Sequence, residues 1–349
     1  MRFIWARKVL AGAAVVVGLL FVLVLILAWP SFRTYPTIYG VTFSVAHARG
    51  LGLEWKETYG AILDDLGVRH LRLSAYWDEI MPEPNTYDFT DLDWQMNEAG
   101  RRGADVVLGV GRKLPRWPEC HVPTWARGLS EEDQQQAVLA MLKTVVSRYR
   151  EHEALLMWQL ENEPLLSFGH CPPEDRDFLR AEESVVRSLD ATHLILVTDS
   201  GELNSWLAIA QFGDMVGTTM YRTVFSGRTQ RLFHYDYIFP AWMYRLKSRY
   251  VKLLTGKEVL VSELQGEPWG AVPFPEMTQE ERRASFSPER FAQLRHFVER
   301  SQLSPVYWWG VEYWYWEKRE HGEAAYWDYA REVFKERDGF AEGQSTGYD

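Results

Sequence analysis

Glu163 and Glu263 each stand where an apolar run ends, the first in LLMWQLENEP (155–164), the second in EVLVSEL (258–264). A carboxyl group set into an apolar segment is costly unless it is paired or used. Two of them in corresponding places invite a division of labour. One protonated carboxyl can deliver a proton while an ionised one attacks an electrophilic carbon, and their mutual repulsion drives the two pKa values apart. Pro164 stops the first run, which leaves Glu163 at its outgoing end.

Other chemistries lack a signature. Gly109-Val-Gly111 begins like a dinucleotide-binding turn, but Leu114 occupies the position of the third glycine. There is no G-x-x-x-x-G-K-[ST], no G-x-S-x-G and no H-E-x-x-H. The nine histidines have no metal-ligand spacing, and Cys120 and Cys171 are too few for a four-cysteine zinc site. No metal or organic cofactor is implied. Of 38 basic residues, Arg2, Arg7 and Lys8 precede the first apolar run, which leaves 35 − 48 = −13 for the remainder. Such a balance speaks against nucleic acid as a partner, since phosphate binding needs a basic surface.

The elements that must position the glutamates alternate. Strand-like runs fall at 39–44, 70–76, 105–111, 155–161, 193–199, 215–221, 258–264 and 305–311. Helical periodicity fills 54–66, 89–102, 130–149, 176–189, 241–254, 288–302 and 322–335, with a short piece near 203–211. Ser130 and Asp133 form an S-x-x-D cap on the third of these helices. Eight strand–helix units predict an α/β fold, a parallel (β/α)8 barrel. Glu163 and Glu263 then end the fourth and seventh strands and face each other across the mouth that holds the chemistry of such barrels.

A single transmembrane helix is expected before the barrel. Residues 9–29 (VLAGAAVVVGLLFVLVLILAW) carry no charge, long enough to cross about 30 Å of hydrocarbon. Basic residues flank the run at 1–8 and only Arg33 follows closely, which places 1–8 in the cytoplasm and the rest outside the cell membrane. Signal-peptide cleavage near Ala28, with secretion, is the main alternative, and a buried core helix a lesser one. The expected organisation is 1–8 cytoplasmic, 9–29 anchor, 30–335 barrel domain, and 336–349 a polar, glycine-rich disordered tail. Outside the membrane, Cys120 and Cys171 form a disulfide or remain two buried thiols, with neither reading preferred.

Asn162-Glu163-Pro164 on the fourth strand, with Glu263 on the seventh, resembles the clan A glycoside hydrolases, retaining TIM-barrel enzymes that include cellulases and mannanases. The resemblance implies a general acid/base at Glu163 and a nucleophile at Glu263. It also assigns Asn162 to the sugar 2-hydroxyl, Arg72 and Tyr221 to support of the nucleophile, and Trp309 to the floor beneath the reacting sugar. This sequence departs from the usual strand-six His-x-Tyr, reading Thr219-Met220-Tyr221, and carries an unfamiliar RKLPRWPECH after strand three. Retaining cleavage asks for two carboxyl groups about 5–5.5 Å apart.

The sixteen tryptophans suit a ligand with flat C–H faces. Trp77 and Trp117 are expected to touch sugar, and Trp125, Trp269, Trp314 and Trp316 to lie at strand ends or in loops. Trp158 and Trp308 are assigned to the core. Hydrolysis of β-glycosidic bonds in an oligo- or polysaccharide is the expected function, with a transglycosylase acting on an envelope glycan and a non-catalytic carbohydrate-binding protein as alternatives.

Overall fold

The computed structural model describes residues 28–335 except position 237, together with scattered positions between 12 and 26. Eight parallel strands close into a barrel. They are β1 (Tyr39–Thr42), β2 (His70–Ser74), β3 (Asp105–Val110), β4 (Leu155–Leu160), β5 (Leu194–Asp199), β6 (Met215–Met220), β9 (Val259–Gln265) and β10 (Val306–Trp309). Between β6 and β9 an antiparallel hairpin, β7 (Thr223–Ser226) with β8 (Arg231–His234), stands outside the barrel. All eight expected strands are present, and β1 closes the ring by pairing with both β10 and β2. The (β/α)8 expectation holds.

Strands buried on both faces read as continuous apolar runs, which explains why they were visible in the sequence. Val107, Met157, Leu196, Met215, Leu260 and Tyr307 form a small cluster of their own, and a larger cluster runs from Tyr39 to Phe334. Gly40 makes room for Tyr307, because a Cβ there would lie 2.4 Å from the His70 carbonyl and 2.8 Å from the Tyr307 ring.

Several expected elements differ. The piece near 203–211 is only a 3-10 turn at Ile209–Gln211, and the last helix starts at Ala325. The helix Val311–Glu320 went unread because VEYWYWE buries nearly every side chain and shows no polar face. Of the expected span 9–29, positions 9–11, 13, 14, 20, 21, 23 and 27 lie outside the described residues, and so do 1–8 and the tail 336–349. Among the described residues no helix is long and apolar enough to cross a membrane.

Candidate active site

The strand ends bring the expected residues together around one guanidinium. Arg72, on β2, is buried. It donates from Nη1 to Glu263 Oε1 (3.0 Å) and from Nη2 to Asn162 Oδ1 (2.8 Å). Nε donates to Gln159 Oε1 (2.7 Å), and Thr42 Oγ1 lies 3.4 Å from Nη1. Glu263, on β9, has its second oxygen held by the Tyr221 hydroxyl at 2.9 Å. Burial and the nearby Glu263 and Glu267 carboxylates push the Tyr221 phenol well above its ordinary range, so it stays a donor.

Glu163 sits in the turn after β4 with φ +45. Its N–H donates to Thr198 Oγ1 (2.8 Å), and its Oε1 accepts from Thr219 Oγ1 (3.4 Å). Burial raises its carboxyl well above the carboxylate range, and the charges of Glu263 and Glu119 add to the shift. One carboxyl is thus kept protonated beside another held by a cation and a phenol. That is the asymmetry acid/base and nucleophilic roles require.

Asn162 is fixed on both sides of its amide. Beyond Arg72, its Nδ2 faces Glu119 Oε2 at 3.4 Å, and its backbone N–H donates to the Lys113 carbonyl at 2.6 Å.

Four carboxylates of this region were not read from the sequence. Glu119 comes from RKLPRWPECH, and burial, followed by the Glu263 charge, pushes it up to about 8. Glu161, with φ +56, receives the Arg112 N–H on Oε1 (2.7 Å) and the Lys113 N–H on Oε2. It straps the loop after β3 to the loop after β4. Gly111 has φ +131, and a Cβ there would fall 2.6 Å from Glu161 Oε1, so no other residue fits. Behind it Glu182, on the helix Arg176–Leu189, is fully buried and raised well above its ordinary range by burial and by Glu161. Burial raises Glu161 as well, so this pair holds a proton more readily than free carboxyls do, Glu182 the more strongly. Glu267 accepts from Arg116 (2.6 Å) and from Trp309 Nε1 (2.7 Å). Loop carboxylates have no periodicity to betray them; only the spacing Glu161-x-Glu163 offered a hint.

The aromatic assignments divide. Trp309 is close to the site, with the Arg116 guanidinium 4.0 Å above one face of its ring. Trp117 stands at the rim, 63% exposed, its ring edge-on to His170 and Phe168. Trp77 is a correction. It is wholly buried, packed edge-on against Trp125, and has no face to offer a sugar. Trp314 and Trp316 are likewise corrections, being core residues of the helix Val311–Glu320, whereas Trp269 packs on Tyr221 with 37% exposure. Trp158 and Trp308 are in the core as expected.

Cys120 and Cys171 form a disulfide, which decides between the bridge and the two thiols. It joins the same two loops that Glu161 straps, one residue from Glu119. Replacing both cysteines by serine is expected to lower stability by about 2–4 kcal/mol through the freed loop of 51 residues. Denaturant unfolding of the oxidised protein and the double variant measures it.

Parts of the chain are similar to known proteins. The family model described as beta-galactosidase (Glyco_hydro_42) matches residues 54–211. A probable mannan endo-1,4-beta-mannosidase A-1 of Aspergillus terreus is 35% identical over 117 residues, 32% of this chain and 30% of its own length. The beta-galactosidase LacZ of Heyndrickxia coagulans is 23% identical over 34% of this chain and 20% of its own. The chain thus matches less than a third of the length of these relatives. Among solved structures, GH5_18 from Streptomyces cattleya in complex with GlcNAc superposes with a TM-score of 0.57 at 17% identity, covering 79% of this chain and 71% of that one. A single-residue variant of that protein in complex with Manb1-4GlcNAc gives 0.57 over 78% and 71%. The resemblance to clan A glycoside hydrolases is borne out.

Proposed function

We propose that this chain is a retaining β-glycosidase of the clan A type, working by double displacement. The observation that carries the proposal is the pairing of a buried Glu163, kept protonated, with a Glu263 whose two oxygens are held by Arg72 and Tyr221. Glu263 attacks the anomeric carbon while Glu163 passes its proton to the departing oxygen, giving a glycosyl ester. Glu163, now a carboxylate, takes a proton from water, which attacks the ester and frees Glu263. Asn162, oriented by Arg72, is placed to hold the neighbouring sugar hydroxyl. The Trp309 ring lies beside the reacting sugar, and Trp117 meets the chain further out.

The relatives' names make β-mannosides and β-galactosides the first substrates to try. The proposed setting is the outer side of a membrane, with 9–29 as the anchor; the uncharged run and its basic flank support it. Incubation with mannans, galactans, β-glucans, xylans and Manβ1-4GlcNAc, followed by proton NMR of the nascent product, tests the reaction. Release of the β-anomer is expected. Initial release of the α-anomer would exclude the mechanism, and products longer than the substrate would identify a transglycosylase.

The acid also sets the pH dependence. Above about pH 8 Glu119 is ionised and its charge raises Glu163; Glu119→Gln removes that charge, so in this range Glu163 loses its proton at lower pH. The alkaline limb of kcat/KM is therefore expected to move toward acid in the variant. A pH–rate profile of both proteins measures the shift.

A further inference from the structure

We infer that the end of the barrel remote from the two glutamates rests on an anionic lipid surface, through the helix Ala241–Thr255 and the turn Trp29–Phe32. The inference rests on the reading that 9–29, which ends at Trp29, holds the chain at a membrane, and adds to that anchor a contact through Phe32 and the helix Ala241–Thr255. Glu163 and Glu263 lie at the outgoing ends of their strands. The helix Ala241–Thr255 leads back to the start of β9, so its last turns lie at the opposite end. The turn Trp29–Phe32 lies ahead of β1 and packs against this helix and the helix Pro288–Ser301. Just after it, the Tyr35 N–H donates to the Glu299 carbonyl at 3.2 Å.

This end is apolar where a water-exposed surface has no need to be. Leu253 is 81% exposed, Phe32 72% and Trp29 69%, with Tyr250 and Leu254 also exposed. Single exposed leucines are ordinary. Here the exposed residues share the helix end and the turn packed on it, at the place where the long uncharged run of the sequence arrives. Trp and Tyr favour the headgroup level, and leucines the acyl boundary beneath it.

The charge is complementary as well. From Ala241 to Lys257 the chain carries five basic residues and no acidic one, although its net charge is −10. Three of the five turn elsewhere. Arg245 is buried, Lys247 donates to the Gly201 carbonyl (2.6 Å), and Lys257 to the Phe212 carbonyl (2.8 Å). Arg249 and Lys252 are exposed beside Tyr250 and Leu253, and Arg33 is exposed next to Phe32. Lys252 also pairs with Glu258, which leaves Arg249 and Arg33 as the main cations for lipid phosphate. The site mouth would then open away from the membrane, toward glycans in the medium beyond it.

Residues 28–335 contain the whole of the main core, which runs from Tyr39 to Phe334, and so provide a folded protein without the anchor. Co-sedimentation of this protein with phosphatidylcholine vesicles containing phosphatidylglycerol is expected to show binding that salt weakens, with little binding to phosphatidylcholine alone. Leu253→Asp with Leu254→Asp should lower the bound fraction on the order of tenfold, and Arg249→Glu should lower it while flattening the salt dependence. Circular dichroism melts of the variants control for folding. No binding by the parent protein, binding untouched in both variants, or self-association through these residues in place of vesicle binding would overturn the inference. Alkaline carbonate washing of membranes bearing the full chain tests the anchor separately. A full chain that washes out while residues 28–335 still bind vesicles removes the anchor and leaves the docking face.

Discussion

Glu263→Ala is expected to lower kcat/KM by on the order of 10⁴-fold or more on every substrate the parent protein cleaves. The loss is that large because, among the described residues, no other carboxylate is held as Glu263 is, with Arg72 on one oxygen and Tyr221 on the other. The variant should fold with lowered stability, since the Arg72 charge loses its counter-ion but keeps Gln159, Asn162 and Thr42 as partners. Azide can enter the space left behind and attack the anomeric carbon, so added azide should restore turnover and yield a glycosyl azide of inverted configuration. Glu163→Ala should behave differently, failing on natural glycosides but keeping activity on aryl glycosides whose leaving group needs no proton. Steady-state kinetics with and without azide, on both substrate types, separates the two roles. Wild-type turnover by Glu263→Ala would end the double-displacement mechanism.

Arg72→Ala should damage both stability and activity. Removing one partner of a buried ion pair costs about 3–5 kcal/mol, because the remaining charge stays buried without compensation. Arg72 also supplies the hydrogen bonds that orient Gln159 and Asn162, so the variant loses contacts to three other strands and loops. Lysine is no substitute, since one ammonium cannot span Glu263, Asn162 and Gln159 at once. A double-mutant cycle with Glu263→Gln isolates the charge contribution. Once the carboxylate is an amide, loss of Arg72 should cost measurably less in urea unfolding than it does in the parent. Equal costs in the two backgrounds would assign the effect to packing and neutral hydrogen bonds instead.

The barrel was legible because its strands are buried on both faces and its outer helices on one. Eight apolar runs and seven periodic stretches carry that information in composition alone. Glu163 and Glu263 were legible for the same reason, as charges where the pattern allows none. The helix Val311–Glu320 was hidden by the opposite condition, being buried nearly all round. A tryptophan after a strand reads the same whether it turns into the core, as Trp77 does, or out to the rim, as Trp117 does. The hairpin β7–β8 and the carboxylates Glu119, Glu161 and Glu267 lie in loops, where tertiary contacts rather than local pattern decide position. Glu182 lay on a helix that was correctly expected, but its helical period gave no sign that the partner facing it was another carboxyl.

Glu182, buried behind the Glu161 strap, makes a proton part of the folded structure. As pH rises through the ordinary carboxylate range, the unfolded chain gives up the Glu182 proton and the folded chain keeps it, so this linkage favours unfolding progressively toward alkali. Glu163, also raised, acts in the same direction. Acidity therefore favours two things at once: the hydrogen that the site would hand to a leaving group, and the one that secures the turn from which it is handed.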